Sequence, residues 1–148
     1  MRRLTLLLLA SLSLAFAPAP FGKADTSKAD LKRLQGTWQL VAVTNGKNLA
    51  RIGDIRIVIA GNDVTVQIDG NVFGKWSFTL DAGKRPKAID LTETVWETKR
   101  DEGKGIYSLD GDTLRICWGK SSREADRPKD LKRNRPSQCL EVYKRVKR

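Results

Sequence analysis

Ile55, Ile57 and Ile59, then Val64, Val66 and Ile68, then Trp76, Phe78 and Leu80 place an apolar side chain at every second position of three successive short runs. A period of two marks strands with one buried face, because successive side chains of an extended chain point to opposite sides. The stretches between these runs, GND at 61–63 and DGN at 69–71, are hairpin-turn chemistry, since glycine and asparagine adopt positive φ at low cost. The pattern continues through Ile89 and Leu91, through GIYSL at 105–109 and, after the DGD turn at 110–112, through Leu114, Ile116 and Trp118. A last run, QCLEVYKRV, occupies 138–146, and GTWQLVAV at 36–43 precedes them all. Eight short strands without a long helix between them hide their apolar faces either by packing one sheet on another or by closing one sheet into a barrel. Closure alone removes the unpaired edges. The expected fold is therefore all-β, an eight-stranded antiparallel up-and-down barrel, with a β-sandwich as the alternative.

Ahead of the first strand, SKADLKRLQ at 27–35 reads as one short helical segment, with Ser27 and Asp30 at capping spacing and Leu31 and Leu34 on one side. Too short to stand alone, it needs a surface to cover. Gly36 allows a sharp turn into the first strand, and Trp38 is then placed to plug one end of the barrel beneath the helix. In a closed barrel the last strand lies beside the first, so a basic side chain of that strand is expected over the indole as a cation on a π face. With Leu140 and Val142 facing inward, alternation favours Lys144; Arg145 takes the place if a bulge intervenes.

The chain opens with Arg2 and Arg3, followed by an uncharged run from Leu4 to Ala17 and by APAPFGKAD. This is the layout of an export signal, and the run is shorter than the ~20 residues that cross a bilayer. The expected organisation is a signal peptide over 1–24, cut somewhere within 17–24, and one barrel domain over 25–148 without a transmembrane segment. The protein is then periplasmic or extracellular. The formal net charge of +11 falls by three, to +8, when Arg2, Arg3 and Lys23 leave with the signal, and it favours anionic partners or simply keeps the domain soluble.

With no histidine in the chain, neither a Ser-His-Asp nor a Cys-His nucleophile can be built, and two cysteines fall short of a zinc site. No catalytic residue, cofactor or metal is expected. Carboxylates such as Asp90, Glu93 and Glu97 are close in sequence, but nothing selects a pair for glycoside chemistry. Cys117 and Cys139 lie at neighbouring ends of the seventh and eighth strands, both on the outward parity. A disulfide between them is expected in an oxidising compartment, two separate thiols being the alternative.

The segments LQGTWQLV at 34–41, GIYSLDGDTLRICWG at 105–119, RPKDL at 127–131 and LEVYKRVK at 140–147 together resemble an exported lipocalin-like domain family described mainly from planctomycete bacteria. The likeness spans about residues 31–147. It implies an eight-stranded lipocalin-like barrel and carries no established activity or ligand.

A barrel of eight strands either fills its interior with side chains or holds one small molecule. In the second case Trp76, Phe78, Tyr107 and Trp118 are the expected pocket wall for a small apolar or amphipathic ligand; Trp96 is a candidate recognition or lid residue if it stands at the rim and ordinary packing if it lies under the loop. The competing expectation is a cell-envelope protein that binds an anionic polymer or surface. It would use the basic loop 119–137, long enough to be functional or disordered, and the tail of Lys144, Arg145, Lys147 and Arg148. Nucleic acid is a third partner class, and export argues against it.

Overall fold

The computed structural model describes residues 23–44, 53–95, 98–132 and 138–147. Residues 1–22, which carry most of the expected signal segment, lie outside the described residues, as do Trp96, Glu97 and positions 133–137 of the long loop.

A helix, α1 (Lys23–Leu34), precedes eight strands: β1 (Gly36–Val43), β2 (Ile55–Ala60), β3 (Asp63–Ile68), β4 (Asn71–Asp81), β5 (Ala88–Val95), β6 (Thr98–Asp110), β7 (Thr113–Trp118) and β8 (Cys139–Arg145). Each strand pairs antiparallel with the next, and β8 returns to β1, so the sheet closes into an up-and-down barrel. Local chemistry sets most of this. Between Ile68 and its partner Asn71 only Asp69 and Gly70 remain, both at positive φ (50° and 80°), which matches the twist of the flanking strands. A single antiparallel sheet with such turns has one stable way to hide its apolar face and both of its edges.

The helix closes one end. Leu34 is buried and Leu31 packs against the same core. The last carbonyls of α1, which have no partner within the helix, are taken up by the barrel. Trp38 Nε1 donates to Leu34 O (2.8 Å), Gln35 Nε2 donates to Leu31 O (2.8 Å), and Arg145 donates to Arg33 O and Gln35 O. The start of the helix differs from the expectation. It begins at Lys23 rather than at Ser27, and Ser27 Oγ accepts from Ala82 N (3.0 Å), docking α1 onto the end of β4 instead of capping it. Asp30, also within the helix, is buried, accepting from Tyr107 Oη (2.8 Å) and pairing with Lys87 (2.6 Å).

Strand β8 is turned over relative to the sequence expectation. Ile116 pairs with Glu141 and Leu114 with Tyr143, so Glu141, Tyr143 and Arg145 share the inner face, and Leu140 and Val142 point outward. Trp38 stands opposite Arg145, whose guanidinium lies 4.1 Å from the indole centroid. Lys144 is the wrong residue for that position: it is exposed and donates to Thr113 Oγ1. A register shift between Leu40 and Ala42 then lets the outer part of β1 rejoin β8.

The expected disulfide is also overturned, for Cys117 and Cys139 are not bonded to each other. Cys117 pairs with Leu140 and Cys139 with Trp118, an offset of one residue that sends the two thiols to opposite faces of the sheet. Cys117, on the outer face, is nevertheless buried. The segment 119–132 folds back across that side of the barrel. Arg127, on this segment, pairs with Asp90 (2.6 Å) and donates to Gly105 O (2.7 Å), and Pro128 is buried. Its neighbours continue the pattern: Glu124 pairs with Arg127 and Lys84, and Asp126 with Arg123. Arg127 and Glu124 thus tie the loop to the barrel, whereas the Arg123–Asp126 pair lies within the loop.

Candidate ligand-binding site

The interior is not filled. A cavity of about 360 Å³ occupies the barrel, at the lower end of the range typical of small-molecule sites. Most of its lining residues are aliphatic, Ile57, Val66, Ile89, Leu91, Leu114 and Ile116 among them.

All four aromatic residues expected in the pocket border this cavity. They differ in how they are held. Phe78 and Tyr107 are buried in the body of the barrel, and the phenol of Tyr107 is committed to Asp30. Trp76 lies across Gly74, where a Cβ would come within 2.3 Å of the indole. Trp118 lies in the same way across Gly105, its partner in β6, where a Cβ would meet the ring at 2.7 Å. In both places the absent side chain makes the room the ring occupies. The cavity opens at the end opposite the Trp38 plug, where Phe73, 69% exposed, stacks on Trp76 at 6.4 Å between centroids.

Three further wall residues escaped the sequence reading: Phe73, Glu141 and Tyr143. Phe73 sits on the outward parity of its run until the register shift between Val66 and Gln67. Glu141 and Tyr143 follow from the face of β8. No tight turn joins β7 to β8, so the turn chemistry that sets register elsewhere is missing here. The only sequence signal was that Cys139, Glu141 and Tyr143 alternate as regularly as Leu140 and Val142.

Glu141 is the one charged residue on the described cavity wall. Its Oε2 accepts from Trp118 Nε1 and from Tyr143 Oη, both at 3.0 Å. Desolvation raises the carboxyl above its usual range, and the bonds from Trp118 and Tyr143 oppose that rise. The phenol of Tyr143 is pushed well above its ordinary value, first by burial and then by the neighbouring carboxylate. Withdrawing an ionised carboxylate from water costs several kcal/mol even after the surroundings relax, and two hydrogen bonds of about 1.5–3 kcal/mol each offset only part of that.

Among the described residues no three His, Cys, Asp or Glu side chains converge as a metal would require. No helix of the described residues is long and apolar enough to cross a membrane. No family model and no curated protein matches the chain.

Proposed function

We propose that this protein is an exported, non-enzymatic binding module of lipocalin-like type, whose barrel receives one small apolar or amphipathic molecule. The cavity carries the reading: about 360 Å³ of apolar space, walled by aliphatic and aromatic side chains and reaching the surface beside an exposed phenylalanine. Interiors are normally packed to crystal-like density, and a void of this size forfeits dispersion contacts that larger side chains would supply. Keeping it open serves a guest. The few polar groups on the wall suit a site that orients a ligand rather than transforms it. The signal-like N-terminal sequence and the family resemblance support export.

Native mass spectrometry of the protein purified from its own host tests this directly. The expected result is a retained small molecule that is lost on denaturation. A cavity-filling variant, Val66→Phe, is expected to abolish retention while raising or preserving thermal stability. Protein that carries no guest and also fails to take up an uncharged apolar probe overturns the proposal.

A further inference from the structure

The exterior of this chain is strongly basic, and the only charge on the described wall of its cavity is acidic. We propose that Glu141 selects the ligand by charge, and that the cavity takes an amphiphile with a protonated amine as its head and an apolar tail. This inference rests on the cavity being a ligand site and specifies what that site recognises.

The carboxylate is built to receive a donor from outside. Both protein donors, Trp118 Nε1 and Tyr143 Oη, reach the same oxygen, Oε2. Among the described residues no donor reaches Oε1, and no lysine or arginine stands on the wall to neutralise the charge. An ammonium supplies what is missing, a positive charge and N–H donors at once, and hydrogen bonds between two charged groups are about twice as strong as neutral ones.

Position agrees with this chemistry. Trp118 ends β7 and Glu141 stands two residues into β8, both toward the open end of the barrel and away from the Trp38 plug. The head therefore sits at the mouth, among the rings of Trp118, Trp76 and Phe73, whose π faces favour a cation. The tail runs inward along Leu114 and Phe78. At roughly 30 Å³ per water-sized group, about 360 Å³ holds on the order of a dozen non-hydrogen atoms.

The same carboxylate rejects fatty acids. A ligand carboxylate would meet a like charge in a poorly solvated site with no basic side chain to separate the two, which is discrimination by repulsion. The positive exterior does not reverse this, because charges beyond about 8 Å are largely screened at physiological salt.

Decylammonium, decanol and decanoate share one tail length and differ in head. Titrated into the protein at pH 7 below their micelle concentrations and read by tryptophan fluorescence, decylammonium is expected to bind about tenfold or more tightly than decanol, and decanoate more weakly than either. Glu141→Gln is expected to lower decylammonium affinity about tenfold and to leave decanol within about threefold. Decanol or decanoate binding as tightly as decylammonium, or a Gln variant that keeps the preference, overturns the inference. The ranking on the unaltered protein decides the matter even if the variant fails to fold. Failure of all three probes removes the cavity reading as well, whereas decanol binding without a preference for the amine removes only the selection by charge.

Discussion

The guanidinium of Arg145 lies over the ring of Trp38, 4.1 Å from its centroid, and at the same time donates to the carbonyls of Arg33 and Gln35 at the end of α1. One side chain thus joins the last strand to the first, covers the plug and satisfies the helix C-terminus. Arg145→Ala is expected to cost about 2–4 kcal/mol, from a desolvated cation–π contact and the charged hydrogen bonds lost with it. Lys144→Ala, at an exposed neighbour, should change stability by less than about 0.5 kcal/mol. Arg145→Lys should fall between them, because an ammonium cannot lie flat on the indole and fork to two carbonyls. Urea unfolding of the three variants measures this, and equal losses at 144 and 145 would contradict the arrangement.

Glu141 makes the ligand-free barrel less stable at neutral pH. A carboxyl whose folded pKa is raised above its ordinary 4.5 holds its proton more tightly in the fold. Its contribution is intact below that ordinary value and is lost as pH rises through the folded value. The titratable groups around it, Tyr143 and Cys139 on its own strand, Cys117 on β7 and Tyr107 on the cavity wall, bring no positive charge to reverse the sign. Glu141→Gln should therefore melt higher than the unaltered protein at pH 7, with the difference shrinking toward pH 4. Calorimetry across that range tests it, and a lower melting temperature for the variant at pH 7 would show the carboxylate to be structural.

The docked segment 119–132 should loosen in acid. Arg127 above all, with Lys84 behind it, holds the Glu124 carboxyl down to about 2 from an ordinary 4.5. A carboxyl depressed in the fold stabilises fully above its unfolded value, and that contribution drains away as pH falls from 4.5 through 2. Glu124 is largely exposed, so solvent screening keeps the effect small. Protection of the amides at 119–132 against hydrogen exchange, taken relative to the intrinsic rate at each pH, should fall over this interval in the unaltered protein. In Glu124→Gln the protection should be lower at pH 6 already; protection unchanged by both pH and substitution would dissociate Glu124 from the docking.

Two unbridged cysteines are expected per chain. Alkylation after denaturation without reductant should add two groups, and a mass lower by two hydrogens with no alkylation would reveal a bridge. In the folded protein Cys117 should react slowly, because burial raises its thiol pKa and the segment 119–132 lies over it. Arg127→Ala should expose it and speed its modification several-fold.

Much of the molecule is legible along the chain. The alternation of Ile55 to Ile59, Val64 to Ile68 and Leu114 to Trp118, with Asp69 and Gly70 between two runs, specifies strands, turns and inner faces locally, and eight such strands close because open edges are unfavourable. Gly36, Trp38 and the short helix before them likewise announce a plugged end. The face of β8 was not legible, since apolar residues stand on both of its parities and no tight turn joins it to β7. Only pairing with Ile116, Leu114 and Trp38 puts Glu141, Tyr143 and Arg145 inside and sends the cysteines to opposite faces.

By itself the sequence determined where the chain extends and turns and which face of most strands is apolar, because those follow from side-chain period and backbone sterics within a few residues. Tertiary structure alone decided that the sheet closes into one barrel rather than packing as a sandwich, that an unfilled cavity remains and that a carboxylate looks into it. Interior volume and strand register are properties of the closed ring as a whole, set by how eight faces meet rather than by any one of them.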